Sequence, residues 1–471
     1  MRRAFPRLVV SATHKSAGKT SVTAGLLSAI ASRGMKVQPF KKGPDFIDPM
    51  WLSAASGIQC RNLDNFMFGW GSLEALFKSS ASSADLSIIE GNKGLHDSAD
   101  AEGEGSGANL ARRLQAPVVM VLDASGTTRG IAPLLLGYKM FEPDINIAGV
   151  ILNKVASGRH ESKLRAVLEK YCDVEILGSI RRTDEMEILE RHLGLVPIKE
   201  DESLASMLDG LRRHVSYAVD IDKVLEIANS APPMEYEPDV APKHQSARRA
   251  RIGVVMDSAF TFYYPENLEA LADAGAELVP FDAMSRQSLP KGLDALYVGG
   301  GFPEVKMAEL QANATLRAEI RNAVEDGMPV HAECGGLIYL SKSVCHGGRR
   351  AEMVGALDCD VVINEKPKGH GYMVLETTGA SPWMKAGTKI KAHEFHYGEV
   401  VNLRRGEFAF KVARGTGING KDDGLVYKNV TASFAHLHHL SAPDWARDFV
   451  AFAERTAFGS STRELVLAGR Q

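Results

Sequence analysis

Cysteine is scarce: five in 471 residues (Cys60, Cys172, Cys334, Cys345 and Cys359), with no Cys-x-x-Cys pair among them. That speaks against a disulfide framework and a thiolate zinc site, and a cytoplasmic location is expected. A surplus of one charge is missing too. The 55 Lys and Arg stand against 58 Asp and Glu, a formal net charge of −3, which gives no basis for nucleic-acid or polybasic membrane binding. No apolar run approaches the roughly 20 residues that span a bilayer, so no membrane partner is expected. The start, "MRRAFPRLVVSATHKSAGKT", is basic and briefly apolar, but "RLVVSAT" is too short for a signal-peptide core and reads as a first strand.

What is present is enough chain for two cores. With 471 residues, 45% hydrophobic and 24% charged, the protein exceeds the size at which single cores stop growing. The stretch from Asn229 to Arg251 is rich in Pro and charge and poor in apolar periodicity. It predicts a linker over 229–250 between domains 1–228 and 251–471. In the first domain, β-branched runs such as "RLVVSAT", "LSIIEG", "PVVMVLD" and "IAGVILNKV" alternate with helical patterns at Thr20 to Arg33 and Glu161 to Tyr171. That alternation predicts an α/β fold with a mostly parallel sheet. Behind the linker it restarts with "RIGVVMD", a helix from Pro265 to Ala274, "ALYVGGG", a helix near Glu304 to Asp326, and "MPVHAEC". From Met353 to Tyr427 shorter, glycine-punctuated segments predict antiparallel strands.

"THKSAGKT", Thr13 to Thr20, follows a strand and opens a helix, the context a phosphate loop requires. Backbone N–H groups around Gly18 favour phosphate oxygens, Lys19 is placed to reach the terminal phosphates of a nucleotide, and the Thr20 hydroxyl suits Mg²⁺. Thr13 stands where the usual pattern has its first glycine. "KVQPFKKGPDFIDP" then offers Lys41, Lys42, Asp45 and Asp48 in one turn-rich loop. Carboxylates near a triphosphate need a cation, so Asp45 and Asp48 are candidates for Mg²⁺ binding or for arranging substrate groups, although a solvated turn looks alike. "LSIIEGNKGLHD" places Glu90 at a strand end, where a nucleotide hydrolase keeps its metal-facing acid, with Asp97 on the loop beyond.

Together with "NLD" at Asn62 to Asp64, these segments resemble the dethiobiotin synthetase-like amidoligases, most closely the cobyrinic acid a,c-diamide synthase family. The resemblance implies activation of a carboxylate by ATP as an acyl phosphate. It carries over Lys19, Thr20, Asp45, Asp48, Glu90 and Asp97 as nucleotide, metal or substrate positions: Thr20, Asp45 and Glu90 toward Mg²⁺, Asp48 and Asp97 toward the substrate, where Lys41 of the same loop is a further candidate. Partitioning ATPases carry an extra lysine after the first loop position. Here that place is His14, so the carboxylate activators fit better.

"PVHAECGGLIYL" supplies a second candidate site. A strand ending in a reactive residue, followed by small residues and a helix, makes a sharp elbow with Cys334 at its apex. Gly335 permits close approach of a substrate carbonyl, and Gly300 and Gly301 in "ALYVGGGFPE" are further oxyanion candidates. The base is sought in "TASFAHLHHLSAP": on a strand, His436 and His438 share a face while His439 points away. These features resemble a class I-like glutamine amidotransferase domain of the same family. The resemblance implies a glutamyl thioester on Cys334, proton transfer by His436 and release of ammonia. Ordinary triad glutaminases have Glu two residues past the histidine. His438 occupies that position, so only the Cys334–His436 dyad is expected. Tyr372, His393, Glu394, His396 and Tyr397 fit either a substrate frame or a polar sheet face.

The expected fold is therefore a phosphate-loop α/β domain followed by a class I glutamine amidotransferase-like α/β domain. The expected reaction is amidation of the a and c acetates of a tetrapyrrole-derived macrocycle, cobyrinic or hydrogenobyrinic acid first, using ATP, Mg²⁺ and glutamine. Siroheme or nickel-sirohydrochlorin is the alternative ring, because "PFKKGPDFIDPMWL" and "EGNKGLHDS" depart from the corrin pattern. An ATP-switched binding protein or a free-standing thiol hydrolase would each use only one of the sites. Partners are small molecules, with a homodimer left open.

Overall fold

The computed structural model describes residues 1–186, 190–191, 194–195, 202–237, 250–404 and 406–468. The chain divides into two compact units, Met1–Asn65 with Gly69–Val240, and Phe66–Phe68 with Ala241–Gln471.

The first unit is built on a seven-stranded sheet. In spatial order its strands are Arg61–Leu63, Val37–Lys42, Leu86–Glu90, Arg7–Ala12, Val118–Asp123, Ile147–Val155 and Glu175–Arg181, all parallel. Arg7–Ala12 and Leu86–Glu90 are buried at every residue, as strands covered on both faces must be. The helix Lys19–Ala31 is buried on most of its surface. A Cβ on its Gly25 would sit 3.0 Å from the Leu211 carbonyl, so this glycine lets the helix Glu202–Ala218 lie directly against it. The linker expected over 229–250 begins as ordered chain. Met234–Glu235 pairs antiparallel with Arg2–Arg3, and Arg7 donates to the Pro232 carbonyl at 3.0 Å. Residues 238–249 lie outside the described residues.

The second unit carries a nine-stranded sheet. Glu277–Phe281, Arg251–Val255, Ala295–Val298, Val330–Glu333 and Val430–Ser433 run parallel. Asp422–Tyr427, Glu407–Arg414, Gly369–Thr377 and Lys389–His396 continue the sheet antiparallel, as the segments after Met353 predicted. The helix expected near 304–326 is two, Met307–Ala312 and Ala314–Glu325. Asn313 separates them: its side chain caps the second through the Leu316 N–H and donates to the Ala283 and Arg286 carbonyls, tying the break to the core.

Candidate active sites

At the carboxyl ends of the first sheet, the loop before Lys19–Ala31 turns left-handed at Ser16 (φ 62°) and Gly18 (φ 89°). No side chain caps this helix, so its first N–H groups remain for an anion. A Cβ at Gly18 would collide with the amide of Asn153, whose Nδ2 donates to the Ala17 carbonyl at 2.9 Å. The Tyr138 hydroxyl donates to the Thr13 carbonyl at 2.6 Å, so the residue replacing the loop's first glycine is fixed through its backbone. Lys19 donates to the His14 carbonyl at 3.2 Å, and burial, with Lys41 nearby, lowers its pKa to about 8.

The acids of this region converge on Lys41, which pairs with Asp48 at 2.5 Å and Glu90 at 2.7 Å. Burial opposes the Lys41 charge, but Asp48 and Glu90 outweigh it and raise its pKa. Glu90 Oε1 also accepts from the Thr20 hydroxyl at 2.9 Å, whereas its buried Oε2 has no hydrogen-bond partner among the described residues. Burial raises Glu90 to about 7 despite Lys41. Asp45 Oδ1 accepts from the N–H groups of Ile47 and Asp48 at 2.8 and 3.1 Å, and burial together with Asp48 raises its pKa to about 6. The Asp97 carboxylate accepts from the Gly94 N–H at 2.8 Å and acts on Lys19 only through its field.

Mg²⁺ fits this donor set. Among the described residues no three His, Cys, Asp or Glu side chains form a protein-only metal cage. Mg²⁺ does not need one, because it usually takes one or two protein ligands with phosphate oxygens and water. The bare Glu90 Oε2 beside the Thr20 hydroxyl offers such ligands, with Asp45 the next acid along the loop.

In the second unit Cys334 stands between the strand Val330–Glu333 and the helix Gly335–Leu340, its backbone at φ 47°, ψ −98°. An L-residue is strained there. Its N–H donates to the Ser433 carbonyl at 2.6 Å, which anchors the elbow to the adjacent strand. The glycines that follow are steric necessities: a Cβ at Gly336 would run into the Val298 carbonyl, and one at Gly335 would lie 3.0 Å from the Gly301 nitrogen. The Gly335 N–H is directed at the sulfur. Cys334 is 4% exposed, and burial pushes its thiol up, with Glu304 adding to the effect. A thiol held neutral needs a base to attack.

His436 lies three residues beyond Val430–Ser433, the strand paired in parallel with the one ending before Cys334. A Cβ on Gly300 would sit 2.5 Å from its Cε1, so Gly300 lies against the imidazole while Gly301 lies against Gly335. The ring stacks on His393 at 5.0 Å between centroids, and the two backbones exchange hydrogen bonds of 2.8 and 3.3 Å. The expectation that His436 and His438 share a strand face does not hold. The strand ends at Ser433, where Asp423 captures the N–H groups of Phe434 and Ala435 at 3.0 and 2.9 Å and bends the chain out of its period of two. His436 Nδ1 faces Glu333 at 3.7 Å, whereas His438 Nε2 faces Glu266 at 3.5 Å.

Several residues of these sites carry no motif. Asn153 lies over a hundred positions from the loop it holds, and Glu333 hides beside the more conspicuous cysteine. Glu333 Oε1 accepts from His331 Nε2 and the Leu437 N–H, both at 3.1 Å, and Oε2 accepts from the Tyr297 hydroxyl at 3.3 Å. Glu304, in the glycine segment, is buried and raised to about 7 by that burial. Two residues left open between frame and sheet turn structural: Glu394 accepts from the N–H groups of Thr416 and Gly417 at 2.6 and 2.8 Å, and His396 stacks on Phe434 at 3.8 Å.

Comparison with known families matches residues 8–196 to a CobQ/CobB/MinD/ParA nucleotide binding domain and residues 251–444 to a CobB/CobQ-like glutamine amidotransferase domain. A protein of Magnetococcus marinus named cobyrinate a,c-diamide synthase is 46% identical over 96% of this chain and 98% of its own. Proteins of the same name from Archaeoglobus fulgidus and Caldanaerobacter subterraneus are 42% and 39% identical, over 95% and 94% of this chain and 97% of their own in each case.

Proposed function

Because the chain belongs to the cobyrinate a,c-diamide synthase family, we propose that it amidates the a and c acetate side chains of cobyrinic acid, using ATP and glutamine. The observation that carries this reading is nearly full-length similarity to proteins of that name, in a chain holding both a phosphate loop and a strained, buried cysteine elbow.

A carboxylate at neutral pH repels nucleophiles and has no adequate leaving group. ATP seated on the Ser16–Thr20 backbone transfers its terminal phosphoryl group to the carboxylate, giving an acyl phosphate and ADP. Lys19 meets the developing phosphate charge, and the depression of its pKa to about 8 means that ATP itself helps to hold its proton. Mg²⁺, when bound at Thr20 and Glu90 with Asp45 close by, supplies charge neutralisation between phosphates and acids. Lys41 and Asp48 present a fixed ammonium and carboxylate to the substrate side, and Asp97 adds a carboxylate on the neighbouring loop.

At the other site His436 takes the Cys334 proton, and the sulfur attacks the side-chain carbonyl carbon of glutamine. The oxyanion meets N–H donors drawn from Gly300, Gly301 and Gly335. Collapse expels ammonia, which receives the proton, and water hydrolyses the glutamyl thioester to glutamate. Ammonia displaces phosphate from the acyl phosphate to give the amide. Glutamine is the nitrogen source because free ammonia is mostly protonated at neutral pH.

The test is mass spectrometry of products after incubation with ATP, Mg²⁺ and glutamine, with cobyrinic acid in one arm and siroheme in another. Two amides gained on cobyrinic acid and none on siroheme is the expected result, and the reverse would transfer the substrate to the siroheme branch.

A further inference from the structure

The Cys334–His436 pair lacks the carboxylate that usually stands two residues past the histidine, since His438 is there. An imidazole acting as base needs one nitrogen free for the thiol, and the other held so that tautomer and ring orientation are fixed. We infer that Glu333, the residue immediately before the nucleophile, is the positioning carboxylate of His436 and completes the triad from the opposite side of the chain.

Three observations bear on it. Glu333 Oε2 faces His436 Nδ1 at 3.7 Å, so the carboxylate addresses one nitrogen of the ring and not the other. The carboxylate cannot swing away: Tyr297 donates to Oε2 at 3.3 Å, and Oε1 is gripped at 3.1 Å by both His331 Nε2 and the Leu437 N–H. Leu437 directly follows His436, so that bond ties the carboxylate to the histidine's own backbone. Finally, Glu333 is 1% exposed, and although burial opposes its charge, His331 and His436 hold it down to about 2, so it is an anion throughout the working range. Groups facing His436 include Glu333 on the strand before the elbow and His393, stacked on its ring. Removing the anion takes away a charge that favours a protonated imidazole.

The inference rests on the glutaminase reading of Cys334, and the experiment separates the two. Glutamate release from glutamine is measured against pH for wild type, Cys334→Ala, Glu333→Gln and Glu333→Asp, with ammonia-dependent amidation as the folding control. If Cys334→Ala keeps its glutaminase, the underlying reading fails. If it loses it, Glu333→Gln should lower kcat by about 10²- to 10⁴-fold, leave KM for glutamine within about 3-fold, and move the acid limb of kcat/KM to lower pH. Glu333→Asp should keep the wild-type acid limb at reduced kcat. A Glu333→Gln enzyme with the wild-type acid limb, or one whose only change is in KM, overturns the inference. Should Glu333→Gln fail the ammonia control, proton NMR of the wild-type protein decides. A far-downfield imidazole N–H lost in His436→Ala supports the assignment, and absence of that resonance refutes it.

Discussion

Glu90 and Glu333 each end a parallel strand and are 0% and 1% exposed, yet Glu90 rises to about 7 while Glu333 falls to about 2. Burial acts alike on both, so their partners decide. Glu90 shares the Lys41 ammonium with Asp48 and has one oxygen without a hydrogen-bond partner among the described residues. Glu333 is met by donors on both oxygens and by two imidazoles. A buried carboxylate short of positive charge suits an incoming cation. One supplied entirely by its own protein suits holding a neighbour in place.

The comparison breaks first at the nucleophile. Cys334→Ala should reduce glutamine-supported amidation by at least about 10³-fold and leave ammonia-supported amidation intact, while Lys19→Ala should abolish product from either nitrogen source; amide formation with each source measures both. Glu90→Gln should weaken Mg²⁺ by about 10²-fold. Because the Glu90 proton must leave before a cation binds, the Mg²⁺ affinity of the wild-type protein should fall as pH drops below about 7, and magnesium titrations of ATP turnover at pH 6 and 8 will read this. Gly300→Ala places a methyl 2.5 Å from His436 Cε1 and should lower glutaminase kcat by about 10-fold or more through a displaced imidazole, without affecting the use of ammonia.

On stability the two acids take opposite signs. Glu333, depressed in the folded protein, contributes about 3 kcal/mol that is present above the unfolded value near 4.5 and is lost as pH falls toward 2. Glu90, raised in the folded protein, works against stability as pH rises from about 4.5 to 7. Denaturant unfolding of wild type, Glu90→Gln and Glu333→Gln across pH 3 to 8 should flatten one slope in each variant.

Much of this architecture was legible in the sequence because it is local. A buried strand, a turn and a helix follow one another directly, from Arg7 to Ala31 and again from Val330 to Leu340. The phosphate loop could be read despite Thr13 because its function lies in backbone N–H groups, and the thiol elbow because Gly335 and Gly336 must stand where Val298 and Gly301 pass. What could not be read depends on pairing across the sheet. The period-two reading of His436 and His438 failed because Asp423, on another strand, ends that strand three residues before His436. The break at Asn313 follows from carbonyls near residues 283 and 286.

The sequence by itself determined which chemical groups the protein owns and the turns that expose them, because a strand-to-helix junction is specified by a handful of adjacent residues. Only the tertiary structure decided which carboxylate serves which partner. Glu333 meets His436 because two strands a hundred residues apart in the chain lie side by side, and Glu90 remains short of donors because Lys41 must also serve Asp48. Charge inside a protein is set by neighbours in space, and the order of residues along the chain does not name them.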